Sequence, residues 1–114
     1  MTPAQELTAA AEKLRTDAEA AHRASPAPWH VTDEHVVRCA DGMIVADRSD
    51  TEHPAERADL PYVAAMHPAV GLVLADWLES AARQEAYTLA EFGHRGGGGH
   101  HAFAVARQIL GGLR

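Results

Sequence analysis

Cysteine, lysine and aromatic residues are all scarce in this chain, and each scarcity excludes something. Cys39 is the one cysteine among 114 residues, so no internal disulfide and no cysteine-based zinc site can form. Its place in an apolar strand pattern makes it a small buried hydrophobe. One lysine, Lys13, and nine arginines make up the ten basic residues, and they are scattered singly. With a formal net charge of −6, the chain lacks the basic patch that neutralises phosphates, which argues against a nucleic-acid partner. Aromatics are limited to Trp29, Tyr62, Trp77, Tyr87, Phe92 and Phe103. The core must therefore be built from alanine, leucine and valine, packed closely between helices. No apolar run reaches the length of a membrane span. The N-terminus lacks the basic start and apolar stretch of a signal peptide, so a bacterial cytoplasm, or that of an infected cell, is the expected location.

What is present has clear periodicity. Thr2 can cap a helix with Pro3 at its first position and Gln5 reaching back in a capping box. Leu7, Ala10, Ala11, Leu14, Ala18 and Ala21 then recur at three- and four-residue steps, opposite Glu6, Glu12, Lys13, Asp17 and Glu19. This stripe of small residues must lie close against a partner, within the fold or across a symmetric interface. Ser25-Pro26-Ala27-Pro28 ends the helix.

Residues 29–32, 36–39 and 43–46 have the β-branched, alternating character of strands. Asp33-Glu34 fits a tight connection, and Asp41-Gly42 fits a primed hairpin turn, so residues 29–47 are predicted to form an antiparallel meander. His30 and His35 could face each other across the first hairpin. A polar loop over 48–56 follows. Asp59 can cap a short helix through Met66, and a longer helix runs from Pro68 to about Tyr87. Its apolar residues Val70, Val73, Leu74, Trp77, Leu78 and Ala81 predict the centre of the core, with Trp77 as an anchor. A last helix over about 101–110 carries Phe103, Ala106, Ile109 and Leu110, and Gly111-Gly112 ends it.

The stretch Gly93-His94-Arg95-Gly96-Gly97-Gly98-Gly99-His100-His101 raises the question of a metal site. Zinc needs four ligands in a structural site and three in a catalytic one. His94 and His100 are separated by Arg95 and all four glycines, and adjacent histidines on a helix point about 100° apart. Ordering a slack loop around an ion also costs entropy. The stretch is therefore read as a flexible connector over 93–100, with His94, His100 and His101 as the candidate metal ligands of the rival reading. No Gly-Lys-Ser or Gly-Lys-Thr ends the glycines, so they do not form a phosphate-binding loop. Enzyme signatures are lacking as well: Cys39 has no motif around it, and Asp41, Asp47, Asp50 and Glu52 read as solvated turn carboxylates.

At Ala24-Ser25-Pro26-Ala27-Pro28-Trp29 the chain resembles small accessory proteins of phages, prophages and actinobacterial genomes of the Ead-like type. In these, an alanine-rich helix runs into a Thr-Pro-Gly-Pro-Trp motif and a few short strands. An Asp-Ala-x-x-Ile-Ala segment then leads to Pro-Ala-Val and a long helix. Ala58-Asp59-Leu60-Pro61-Tyr62-Val63-Ala64-Ala65 is similar to the second element, and His67-Pro68-Ala69-Val70 to the third. The order and spacing cover most of residues 5–85, with departures at Ser25, Ala27 and Pro61. The resemblance implies no reaction, cofactor or catalytic residue. It implies an accessory protein of a mobile element or its host that acts by binding. Read on its own residues, the first motif stiffens the exit from the helix through Pro26 and Pro28 and anchors that corner to the core through Trp29.

The expectation is thus a single α+β domain over 1–114, with a short three-stranded antiparallel meander packed against three to four helices. The function expected is protein binding, either to another protein or by self-association as a homodimer, without a cofactor and without a membrane. Two rivals stay open: a metal- or small-ligand-binding protein using His94, His100 and His101, and a small enzyme acting on a nucleotide or nucleic acid through Asp41 or Asp47.

Overall fold

The computed structural model describes residues 1–94 and 99–111. Helix α1 (Pro3–Ala24) opens with the predicted capping box. The Gln5 N–H donates to the Thr2 hydroxyl at 3.1 Å, and the Thr2 N–H donates to the Gln5 side-chain oxygen at 2.8 Å. Two backbone donors left open by the first turn are thereby satisfied. Strands β1 (His30–Val31), β2 (Val36–Arg38) and β3 (Ile44–Asp47) form an antiparallel sheet in the order β1-β2-β3. With α2 (Asp59–Ala65), α3 (Pro68–Phe92) and α4 (His100–Leu110), the fold is α+β as expected.

The chain divides into two compact units. The first takes Met1–Asp17 and the chain from Leu72 onward, and holds the larger apolar cluster. There Leu7, Ala10 and Ala11 of α1 pack with Leu78 and Ala82 of α3 and with Ala102, Phe103 and Ala106 of α4. α1 and α3 run antiparallel: Arg15 reaches Asp76 at 3.0 Å and Glu79 at 2.8 Å, while the earlier residues Ala4–Glu12 of α1 lie beside the later residues Glu79–Ala86 of α3. Arg107 of α4 approaches Glu6 of α1 at 3.7 Å.

Trp77 is not the core anchor that the sequence predicts. It is 41% exposed and Val73 is 67% exposed, whereas Leu78 is fully covered. The buried phase of α3 in this unit is Ala75, Leu78, Ala82 and Glu85, at steps of three and four. Helices that meet through alanine lie too close to admit an indole between them, so small residues take the inner face and the bulky ones lie beside it. α3 also continues past the predicted end at Tyr87, and its last turns leave Leu89 and Phe92 exposed.

The second unit, Ala18–Gly71, holds the sheet. Val36, Val37, Cys39 and Leu60 are buried in it, and α2 lies against β1 and β2. Both hairpins have three-residue loops: the connection at Asp33-Glu34 is tight as expected, but Asp41-Gly42 does not form the primed two-residue turn predicted there. The His35 N–H donates to the Thr32 carbonyl at 3.1 Å and the Gly42 N–H to the Cys39 carbonyl at 2.9 Å. In each loop the last residue is left-handed, with φ 62° at His35 and 87° at Gly42. A type I turn followed by a left-handed residue is the usual three-residue solution, because its twist suits the strands. His30 pairs with Arg38 in the ladder, so it does not face His35.

Trp29 is half-buried and ties down the helix exit. Its indole N–H donates to the Ser25 carbonyl at 2.7 Å, and the Ala40 N–H donates to the Pro26 carbonyl at 2.9 Å. Asp59 does not cap α2. A 3-10 turn over Pro54–Ala58 leads directly into that helix, and the Asp59 carboxylate is turned to Arg48 instead.

Candidate protein-docking groove

In the first unit, α1 and α3 leave a groove of about 450 Å³ between them. The side chains that shape it follow from helical spacing. Ala4 and Thr8 stand one turn apart on α1, with Ala9 beside them, and Ala82 and Ala86 stand one turn apart on α3. Leu7, Ala10 and Ala11 occupy the inner phase of α1 and are buried. The small-residue stripe of the first helix is thus used within the fold, and the adjoining row of small residues is the one left open.

The rim is charged. Glu12 and Gln5 stand on the α1 side, Glu79 and Arg83 on the α3 side. Glu79 accepts from two guanidinium groups, Arg15 at 2.8 Å and Arg83 at 2.9 Å. The hydrogen bond to Asp76 is the main influence raising the pKa of Arg15, and Glu79 adds to it. Glu12 has no ion-pair partner among the described residues. The groove offers alanine walls, a hydroxyl and rim charges. Walls of alanine let another helix approach to about 8–10 Å between axes, with larger apolar side chains entering the space.

A second hollow, of about 380 Å³, lies in the second unit and is lined by Asp47, Arg48, Asp50, Thr51 and Glu56. Its polar groups are directed at one another. Arg48 pairs with Glu56 at 3.4 Å and with Asp59, and the Thr51 hydroxyl donates to Glu56 at 2.8 Å. The Asp47 carboxylate accepts from the Ser49 hydroxyl at 2.6 Å and the Ser49 N–H at 2.8 Å. The hydroxyl bond foremost, and then the backbone bond, hold the Asp47 pKa below the usual carboxylate range. A carboxylate held ionised in this way is a poor proton donor, and the network staples residues 47–59 together. Asp41 sits in the second hairpin loop, and neither it nor Glu52 lines this hollow.

The His100 and His101 rings lie 4.0 Å apart, and His94 stacks on Phe92 at 6.2 Å. Among the described residues, no group of three or more histidine, cysteine or carboxylate side chains is gathered to hold a metal ion. Arg95, Gly96, Gly97 and Gly98 of the predicted connector over 93–100 lie outside the described residues, as does Gly112. Gly99 precedes α4 and is used for close approach: a Cβ built there would lie 3.1 Å from a Phe103 ring carbon.

A scan against protein-family models, a search of curated proteins and a search of solved structures each find no match to this chain.

Of the groove residues, only Gln5 and Glu12 were singled out in the sequence; Ala4, Thr8, Ala9, Glu79, Ala82, Arg83 and Ala86 were missed. Their signal was an Ala-x-x-x-Ala pair on α3 beside Ala4 and Thr8 on α1. It becomes legible only once the two helices are known to run antiparallel.

Proposed function

We propose that this chain is a non-enzymatic accessory protein of a phage, prophage or actinobacterial host that acts by protein–protein binding, with the α1–α3 groove as its docking face. The observation that carries this reading is the open alanine-walled groove between two antiparallel helices, with charge of both signs on its rim. Close-packed alanine accepts the larger side chains of a third helix without displacing the core residues beneath. The resemblance at Pro26–Trp29, Ala58–Ala65 and His67–Val70 supports the accessory role.

A library of amphipathic helical peptides, selected on the protein, tests the groove. Peptides that bind are expected to shift the amide resonances of residues 4–12 and 79–86, and Ala86→Arg is expected to abolish their binding while leaving the melting temperature in place. Selected peptides that bind elsewhere, or that bind Ala86→Arg equally well, contradict the assignment.

A further inference from the structure

We propose that Asp41-Gly42 is a site of spontaneous covalent modification, the conversion of Asp41 to isoaspartate through a cyclic imide, and that the second hairpin loop sets its rate by holding the Gly42 N–H. The chemistry needs a carboxyl group beside a backbone nitrogen that can turn onto it. The Gly42 nitrogen attacks Cγ of the protonated Asp41 side chain. The N–Cγ bond forms, the Cγ–O bond breaks, and the amide proton leaves with the hydroxyl as water. Water then opens the ring. Addition at Cγ returns aspartate. Addition at the main-chain carbonyl of Asp41 breaks its bond to the Gly42 nitrogen, and the chain then runs through Cβ and Cγ. No reagent but water enters, and nothing is oxidised or reduced.

Asp41 is the one aspartate in the chain that is followed by glycine. A Cβ on the following residue crowds the attacking nitrogen, and glycine has none. The surroundings of Gly42 are open as well, since a Cβ built there meets no atom within 4 Å. Both residues are exposed. Among the described residues the Asp41 carboxylate has no hydrogen-bond or ion-pair partner, whereas Asp17, Asp47, Asp59 and Asp76 are each held by one.

The loop restrains the nitrogen, not the carboxylate. The Gly42 N–H donates to the Cys39 carbonyl at 2.9 Å, and the Gly42 carbonyl accepts from the Arg38 guanidinium at 2.7 Å. The Cys39 N–H closes the loop on the Met43 carbonyl at 2.9 Å. The nitrogen is free to turn onto Cγ only when these bonds open, a local event that costs free energy. The product has one more backbone carbon in a three-residue loop, so it no longer fits between those bonds.

Isoaspartate analysis of the full chain tests this control. The chain has no asparagine, so every isoaspartate found comes from an aspartate. Folded protein and protein unfolded in guanidinium chloride are incubated in the same mildly acidic buffer. The tryptic peptide Cys39–Arg48 carries Asp41 and Asp47, and electron-transfer fragmentation distinguishes the two forms at each. The unfolded chain is expected to gain isoaspartate at Asp41 and not at Asp47. The folded chain is expected to convert roughly tenfold or more slowly. Arg38→Ala is expected to speed conversion and Gly42 amide exchange together in the folded chain, and to leave the unfolded rate in place. In the wild type, conversion is expected to follow Gly42 amide exchange as temperature rises, a readout that stands even where Arg38→Ala fails to fold. Equal rates in folded and unfolded chain overturn the loop's control, and so does a conversion rate that does not follow Gly42 amide exchange. An unfolded chain that gains no isoaspartate at Asp41, or as much at Asp47, overturns the site itself.

Discussion

His35 and Gly42 hold the same place in consecutive hairpins, each as the left-handed last residue of a three-residue loop, at φ 62° and 87°. Arg38, between them in sequence, joins the two loops: it donates to the Gly42 carbonyl at 2.7 Å and approaches Glu34 at 3.4 Å. Glycine takes this conformation without a steric cost, whereas a residue with a Cβ is opposed by about 1–2 kcal/mol.

The two positions should therefore respond in opposite senses. A Cβ at Gly42 meets no atom within 4 Å, so Gly42→Val is opposed by the backbone alone and should cost about 1 kcal/mol or more. His35→Gly removes the same strain and adds chain entropy to the unfolded state, for a net effect from neutral to about 1 kcal/mol stabilising. Thermal melts compare them. A lower melting temperature for His35→Gly, or an unchanged one for Gly42→Val, contradicts the loop geometry.

Leu78 and Trp77 offer a second contrast. Leu78→Ala empties space in a covered site and should cost about 2–5 kcal/mol. Trp77→Ala, at a partly open position, should cost less than Leu78→Ala despite the larger side chain removed. Urea denaturation of both variants checks the order. A larger loss at Trp77 would place the indole in the core after all.

Ser49 should control the titration of Asp47. Ser49→Ala removes the hydroxyl bond that contributes most to lowering the Asp47 pKa, so that pKa should rise toward the ordinary value, followed by carboxyl NMR. The sign on stability follows from the lowered pKa of the folded state. The stabilisation is fully present above the unfolded pKa, about 3.9. It is lost as pH falls through the lower folded value. Wild type and Ser49→Ala should therefore differ at neutral pH through this pair and converge in strong acid. An Asp47 pKa unmoved by the substitution contradicts the assignment.

The predicted α1 cap can be checked at its first residue. Thr2→Ala should cost about 0.5–2 kcal/mol, because the Gln5 N–H loses its acceptor. A melt that overlays the wild type would show that this N–H is equally well served by water.

Local chemistry made much of the fold legible before the structure. Thr2, Pro3 and Gln5 fix the start of α1 through bonds made within one turn. The three strands follow from alternation, and Gly42 marks a loop because its backbone needs positive φ. What stayed hidden depends on which elements meet. Trp77 and Val73 lie on the apolar stripe read along α3, yet Ala75, Leu78 and Ala82 take the inner face because α1 comes so close. The connection at Asp33-Glu34 was legible, but its three-residue form was not, because a residue other than glycine, His35, fills its left-handed position. Asp59 resembled a cap, but Arg48, distant in sequence, claims its carboxylate. For the same reason the groove was invisible: Ala82 and Ala86 acquire meaning only beside Ala4 and Thr8.

The α1–α3 groove as the docking face is most directly tested by a distance to its occupant. Cys39 is buried, so a single cysteine introduced by Thr16→Cys, beyond the groove-lining residues of α1, can be spin-labelled selectively. With a spin-labelled helical peptide selected on the protein, pulsed electron resonance should give one narrow distance between the two labels. Ala86→Arg in the same labelled chain should abolish it. A broad distribution for a peptide that binds, or a distance that persists in Ala86→Arg, would contradict the α1–α3 groove as the docking face.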